Sequence, residues 1–459
     1  MPTQVVWISS NQTGVRVPLI AGDDAYVAAG TFLGSINNAA IQAVTNSHLV
    51  TVMGTVYGGT IGVDLGGVGT FDNSVVVGAD GSVVGNTKGV SINSDGARLV
   101  NYGLIEGGEG VYLSGNNATF VNYGSVTSRL YGIAVELVEE TGAGTPVRFT
   151  NFGNITSIAT AYDGAGTEED IFRNFGSVTG TVITYGGGDT VVNRGTVVGN
   201  ITTLSGADRV DNNRGHVEGD VNLGSENDIY IGKTGLVTGT VSGEDGNDTL
   251  IGNATEEDTF NGGSGIDTLD FRKGPATIVA LDGSFDNDGA AFGDSYTAFE
   301  QVFGSATGAD LLRGDGLANT LTGFGGKDTI DGASGADTLR GGNGVDSLTG
   351  GGGNDQFVYQ VLSESGDTIT DFSNVGGNDD QFVITASAFG GGLVAGALAA
   401  AQFQIRADNG AQDADDRFIF RTTDQTLWFD ADGTGASAAR MLADLQASAV
   451  LTAADILLV

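Results

Sequence analysis

The sequence predicts an all-β protein: a parallel β-helix with rungs of about 20 residues, continuing into a parallel β-roll and then a small β-rich C-terminal cap carrying one helix. Three observations carry this reading. Glycine supplies 78 of the 459 residues and proline only 4, which suggests many tight turns between short strands and excludes collagen or a proline-rich linker. A nine-residue unit repeats in tandem between Ser305 and Val358. Upstream of it, a longer unit recurs at the near-constant spacing of solenoid coils.

Composition narrows the function before any motif is read. Acidic residues number 56 against 19 basic ones, a formal charge of -37, so a nucleic-acid surface would have to form against the chain's own field and none is expected. Hydrophobic residues make up 40% and charged residues 16%, enough apolar material for a core and unlike a disordered acidic tail. With no cysteine, disulfides, thiolate chemistry and cysteine-ligated zinc all drop out, and a bound cation becomes the natural source of extra stability. The opening Met1-Pro2-Thr3-Gln4-Val5-Val6-Trp7 has neither a basic nor an apolar signal region. No apolar run reaches the roughly 18 residues of a membrane span, so neither a classical export signal nor a transmembrane segment is expected.

Residues 1–242 read as a parallel β-solenoid. Asp170, Asp189, Asp208, Asp228 and Asp248 mark its period, and the interval DTVVNRGTVVGNITTLSGA shows its grammar: Asp, alternating Val, an Asn-x-Gly corner, more alternation, then a glycine corner. The Asn-x-Gly corner recurs at Asn101, Asn122, Asn151, Asn174, Asn193 and, altered, at Asn213. Alternating β-branched residues argue for strands with one buried face, and Asn or Gly is expected to supply a left-handed conformation at each corner. The corner residues Tyr102, Tyr123, Phe152 and Phe175 read as a stack that stabilises the coil rather than as a sugar-binding stripe. Residues before about Asn73 follow the grammar loosely, as a terminal rung capping an open sheet edge would. At the level of fold, these rungs resemble those of secreted adhesins and autotransporter-like passenger domains.

Residues 243–358 read as the β-roll. Its units are SATGADLLR, GDGLANTLT, GFGGKDTID, GASGADTLR, GGNGVDSLT and GGGGNDQFV, with GEDGNDTLI from Gly243 and GGSGIDTLD from Gly262 upstream. Position six carries Asp310, Asn319, Asp328, Asp337, Asp346 and Asp355; position eight carries Leu312, Leu321, Ile330, Leu339, Leu348 and Phe357. Glycines at positions one, two and four are expected to admit backbone conformations that a side chain forbids, curling six residues into a loop closed by the position-six carboxylate. The next three residues form a short strand with the middle one inside. A hard cation between successive loops suits the carbonyl and carboxylate donors. The candidate metal residues are Gly246 and Asp248; Gly262, Gly263, Gly265 and Asp267; Gly308 and Asp310; Gly323, Gly326 and Asp328; Gly332, Gly335 and Asp337; Gly341, Gly342, Asn343, Gly344 and Asp346; and Gly350, Gly351, Gly352, Gly353 and Asp355.

At these residues the chain resembles the repeat-in-toxin (RTX) or hemolysin-type calcium-binding proteins, whose nonapeptide is G-G-x-G-x-D-x-U-x. The resemblance implies a parallel β-roll with calcium (Ca2+) between neighbouring turns. Asn319 and Ser305 depart from the pattern. The segment 271–304, with TIVALDGSF and the acidic FDNDGAAFGDS, breaks the period and reads as a β excursion on the flank of the roll.

Residues 359–459 read as a C-terminal cap. Ala438, Met441, Leu442 and Leu445 fall at helical spacing, which predicts one amphipathic helix among antiparallel strands. The segment is similar to the C-terminal region of serralysin-type and related type I secretion substrates, including the Asp455-Ile456-Leu457-Leu458-Val459 ending, which implies the type I secretion machinery as a partner.

No catalytic constellation is visible. His48 and His216 are isolated, with no H-E-x-x-H and no G-x-S-x-G elbow. The alternative reading is a polysaccharide lyase or epimerase, for which Lys88, Arg98, Arg129 and Arg148 would have to converge with carboxylates in one cleft. The preferred reading is a non-enzymatic calcium-binding structural or adhesive protein, secreted and acting outside the cell or at its surface, where extracellular polysaccharide is a candidate partner.

Overall fold

The structure, a computed structural model, describes residues 5–459 except 15, 21, 46, 67–71, 131, 139–144 and 254–256. The chain divides into two units, Met1–Asp248 and Thr249–Val459. The division falls inside the first nonapeptide, and residues 359–459 belong to the second unit.

In the first unit one strand per coil pairs in parallel with the next, from Val5–Ile8 through Asp24–Val27, Leu49–Val52, Ser74–Val77, Arg98–Asn101 and Thr119–Asn122 to Ile229–Lys233. Register places one inward residue of each coil over the last. The column Ala25, Val50, Val75, Leu99, Phe120, Phe149, Phe172, Val191, Val210 and Tyr230 is buried throughout. The short rung expected from the aspartate spacing holds from Phe172 onward, whereas the coil from Phe120 to Phe149 is markedly longer. A third run of strands, including Ile61–Gly66, Lys88–Asn93 and Glu109–Ser114, continues into the shorter coils as Ile201–Thr202 and Val221–Ser225. Among the described residues before Asn73, Val5–Ile8, Asp24–Val27 and Leu49–Val52 are regular rungs in register with one another rather than a loosely formed cap.

The Asn-x-Gly corners form a second, polar column. Each asparagine donates its Nδ2 to the Oδ1 of the next, from Asn101 through Asn122, Asn151, Asn174 and Asn193, at 2.8 or 2.9 Å. The last bond goes to Asn212, not Asn213, because Asn212 is the buried residue in register. The corner glycines are not left-handed, contrary to the expectation from sequence. They are small because a Cβ on Gly124, Gly153, Gly176 or Gly195 would collide with the carbonyl oxygen of the corner glycine one coil earlier. The corner rings do stack, at 4.9 to 5.0 Å between centroids, while each ring stays exposed at its corner.

The second unit is a roll with two columns. Leu250, Leu269, Val302, Leu321, Leu339, Phe357, Phe382 and Ile456 stack on one sheet. Val279, Leu312, Ile330, Leu348, Ile369 and Leu445 stack on the other. Successive nonapeptides alternate between sheets, so two make one coil. Segment 271–304 supplies rungs to both: Thr277–Ala280 pairs with Leu311–Arg313, and Gln301–Phe303 pairs with Thr268–Asp270 and Thr320–Thr322. Between them Ser295–Thr297 also pairs in parallel with Thr259–Asn261, so only residues 281–294, with the short strand Asp288–Gly289 antiparallel to Thr277–Ala280, leave the parallel ladders.

The cap's helix is the single turn Ala386–Phe389. Residues 440–445, expected to be helical, form the strand Arg440–Leu445, parallel to Asp367–Ile369 and antiparallel to Thr426–Phe429. The last rung of one sheet would otherwise expose a row of unpaired backbone groups, and only a strand can satisfy them. Ile456–Leu458 does the same for the other sheet, beside Gln381–Ile384.

Asn151→Ala removes both a donor and an acceptor from the buried amide column. Urea denaturation of the full chain is expected to show a loss of about 1–3 kcal/mol; unchanged stability would contradict the column's role.

Candidate metal centre in the nonapeptide loops

Most nonapeptide loops, though not those of the units from Ser305 and Gly314, have two unusual backbone positions. Position two has positive φ at Gly263, Phe324, Ala333, Gly342 and Gly351, and position four does at Gly246, Gly265, Gly326, Gly335, Gly344 and Gly353. Phe324 and Ala333 adopt the left-handed form without being glycine, at φ of 70° and 73°. Position one is glycine for a different reason than expected: its φ is ordinary, but a Cβ on Gly323, Gly332, Gly341 or Gly350 would strike the Oδ2 of Asp328, Asp337, Asp346 or Asp355 respectively. The position-one glycine therefore makes room for the carboxylate.

The carboxylates form two ladders. The backbone N–H of Asp310, Asp328 and Asp346 donates to Oδ1 of Asp328, Asp346 and Asp367 at 2.8 to 2.9 Å. Asn319, Asp337 and Asp355 do the same to Asp337, Asp355 and Asp380 at 2.8 to 3.1 Å. In Asp328, Asp337, Asp346 and Asp355 the other oxygen, Oδ2, is buried and accepts no hydrogen bond. Burial raises these carboxyls, Asp328 and Asp337 to about 7; the backbone N–H tempers the rise, and neighbouring carboxylates such as Asp346 beside Asp328 and Asp355 beside Asp337 add to it. Asp346 and Asp355 are raised too, again by burial first.

The candidate residues are not equivalent. Asp310 has both oxygens engaged, by the Thr277 N–H, the Ser305 N–H and the Ser305 hydroxyl, the serine standing where other units carry glycine. Gly308, at position four of that unit, is not left-handed. Asn319 accepts from the Asp315 N–H and donates to the Phe299 carbonyl, a neutral link in a carboxylate ladder. Asn343 is exposed and its amide oxygen accepts from Ser363, which leaves its backbone as the donor to a loop site. Gly352 sits at the exposed tip of its loop. Asp248 and Asp267 are buried. Asp248 Oδ1 accepts from the Asp228 N–H, and the Asp267 N–H donates to Glu300.

Asp367 and Asp380 were not anticipated. Both extend the ladders beyond Val358, and burial raises them to about 7 and about 6. Their signal is the Asp-x-apolar pattern in GDTIT and DDQFVI, which survives after the glycines are gone.

Among the described residues, no three His, Cys, Asp or Glu side chains gather as a metal cluster. A loop site would instead draw one carboxylate oxygen per loop and complete its shell with backbone carbonyls, the donor set of calcium. An unprotonated buried oxygen lacking a donor is costly, and a divalent cation is the partner that suits it.

The basic residues of the alternative reading stand apart. Lys88 pairs with Glu109 at 2.8 Å and lies over the Tyr112 ring, and Arg129 pairs with Glu106. Arg98 and Arg148 occupy a different run of strands, in register through Thr119. His48 is buried between the Thr45 hydroxyl and the Asp23 carbonyl, and His216 lies in the rung His216–Glu218.

A folded pKa raised above the unfolded value means that folding favours the protonated acid, so this stability is present at low pH and lost as pH rises through about 7. The metal-free chain is therefore expected to melt at a higher temperature at pH 5 than at pH 8, and Asp328→Asn with Asp337→Asn should flatten the difference. A metal-free wild type equally stable at both pH values would contradict the assignment.

The RTX calcium-binding nonapeptide repeat, in four copies, matches residues 239–269, 306–339 and 331–358. Comparison with curated proteins gives no match. The matched stretches are the ones whose loops build the ladders, and the fold around them is a β-solenoid. These stretches carry the RTX, or hemolysin-type calcium-binding, nonapeptide repeat.

Proposed function

We propose that this chain is a secreted, non-enzymatic calcium-binding structural protein, and that its nonapeptide loops fold as they take up calcium outside the cell. The buried, donorless Oδ2 oxygens of Asp328, Asp337, Asp346 and Asp355 carry the reading. Calcium lies between successive loops, held by these carboxylates and by those of Asp248 and Asp267, with loop carbonyls completing the shell. In a calcium-poor cytoplasm the stacked carboxylates repel and the roll stays expanded, a state suited to passage through a type I export channel. Extracellular calcium sites have dissociation constants of roughly 10⁻⁴ to 10⁻³ M, so outside the cell binding and folding become one event.

An adhesive role, toward extracellular polysaccharide or a cell surface, rests on the resemblance of the N-terminal rungs to adhesin passenger domains. The serralysin-like character of residues 359–459 supports export through the type I machinery.

Chelation of the full chain at neutral pH is expected to reduce the β signal in circular dichroism, with recovery on adding calcium. At calcium a hundredfold above the dissociation constant each site adds about 2.7 kcal/mol, so the melting temperature rises with calcium concentration. A spectrum and melting temperature indifferent to chelator and calcium would refute the proposal.

A further inference from the structure

The aspartates of the first unit repeat the loop geometry outside most of the matched repeats. Four loops, residues 184–189, 203–208, 223–228 and 243–248, lie one coil apart and end in Asp189, Asp208, Asp228 and Asp248. Their second positions, Tyr185, Leu204, Gly224 and Glu244, all have positive φ, as do their fourth positions, Gly187, Gly206, Glu226 and Gly246. The loops also stack in parallel: Gly186 bridges to Ser205 and Ser205 to Ser225, as Ser334 bridges to Gly352 in the roll. A Cβ on Gly206 would collide with the Gly187 carbonyl, just as one on Gly353 would with the Gly335 carbonyl.

The carboxylate chemistry is the same. The N–H of Asp189 donates to Asp208 Oδ1 at 2.7 Å, that of Asp208 to Asp228 Oδ1 at 2.7 Å, and that of Asp228 to Asp248 Oδ1 at 2.8 Å. Asp208 and Asp228 are 2% and 1% exposed, and the Oδ2 of each accepts no hydrogen bond. Position one is Thr184, Thr203 and Leu223 rather than glycine, and the Thr203 hydroxyl beside Asp208 donates to the Leu223 carbonyl at 2.5 Å. Across the coil, the asparagine column bonds to itself and has no such oxygen.

We propose that these loops form a one-sided column of calcium sites in the N-terminal unit, with cations seated between successive loops and Asp208 and Asp228 as carboxylate ligands. The donors are oxygens only, from carboxylates and the carbonyls of stacked loops, so the class of ligand is a hard divalent cation that tolerates irregular coordination, calcium rather than magnesium. The inference rests on the calcium reading of the nonapeptide loops and extends it to coils that lack the nonapeptide period.

Calcium bound per full-length chain, counted by equilibrium dialysis at saturating calcium, tests it in two variants. Asp208→Asn with Asp228→Asn keeps an Oδ1 acceptor at each position and removes the charge. It is expected to lose bound calcium relative to wild type, and the loss should add to that of Asp328→Asn with Asp337→Asn. A count equal to wild type in the first variant, with a loss in the second, would overturn the column and leave the nonapeptide reading standing. A loss in the first and none in the second would support the column and remove the nonapeptide reading. Should the first variant fail to fold, anomalous density in calcium-loaded wild-type crystals decides: a peak between residues 204–208 and 224–228 supports the column, and a flat map there beside peaks in the nonapeptide loops overturns it.

Discussion

A buried carboxylate that ties one oxygen to a backbone N–H and leaves the other without a donor sets the terms for the rest of this chain. The tied oxygen fixes the loop: a hydrogen bond to a charged acceptor contributes about 1.5–3 kcal/mol and aligns each coil on the next. The second oxygen works the other way, since taking an uncompensated charge out of water costs several kcal/mol. In Asp328, Asp337, Asp346 and Asp355 both effects act on one side chain, and burial raises all four carboxyls. A proton or a cation relieves the conflict, and a cation leaves the fold dependent on its surroundings.

The asparagine column shows what the same architecture does without that dependence. An amide carries both a donor and an acceptor, so Asn101 to Asn212 satisfy one another coil after coil with no charge to neutralise. A solenoid needs some polar pairing along its corners, and amides would serve at every one. Aspartate at the loop corners gives up self-sufficiency, and the formal charge of -37 is the aggregate expression of that choice. Stability then becomes a function of the ions available.

The nonapeptide loops were legible because each position answers to a separate physical demand, so the pattern survives six tandem copies. Even there, one demand was misread: Gly332 is small to admit the Asp337 carboxylate, not to adopt a left-handed turn. The corner glycines were misread in the same way, since contact with a neighbouring coil, far away along the chain, leaves no trace in local sequence. Asp367 and Asp380 escaped notice because the turns before them are longer and the nonapeptide spacing is lost. The strand Arg440–Leu445 carries a helical spacing of apolar residues, and it is the unpaired edge of Asp367–Ile369 that makes it a strand. Tertiary pairing outweighs local periodicity wherever a sheet would otherwise end open.

Calorimetric titration of the metal-free full chain with calcium at pH 7, repeated in two buffers of different ionisation enthalpy, examines these oxygens directly. Carboxyls raised to about 7 are partly protonated before binding and must give up those protons to become ligands. The account predicts calcium binding accompanied by net proton release, seen as a heat that changes with the buffer. Binding with a buffer-independent heat, or no binding at all, would contradict it.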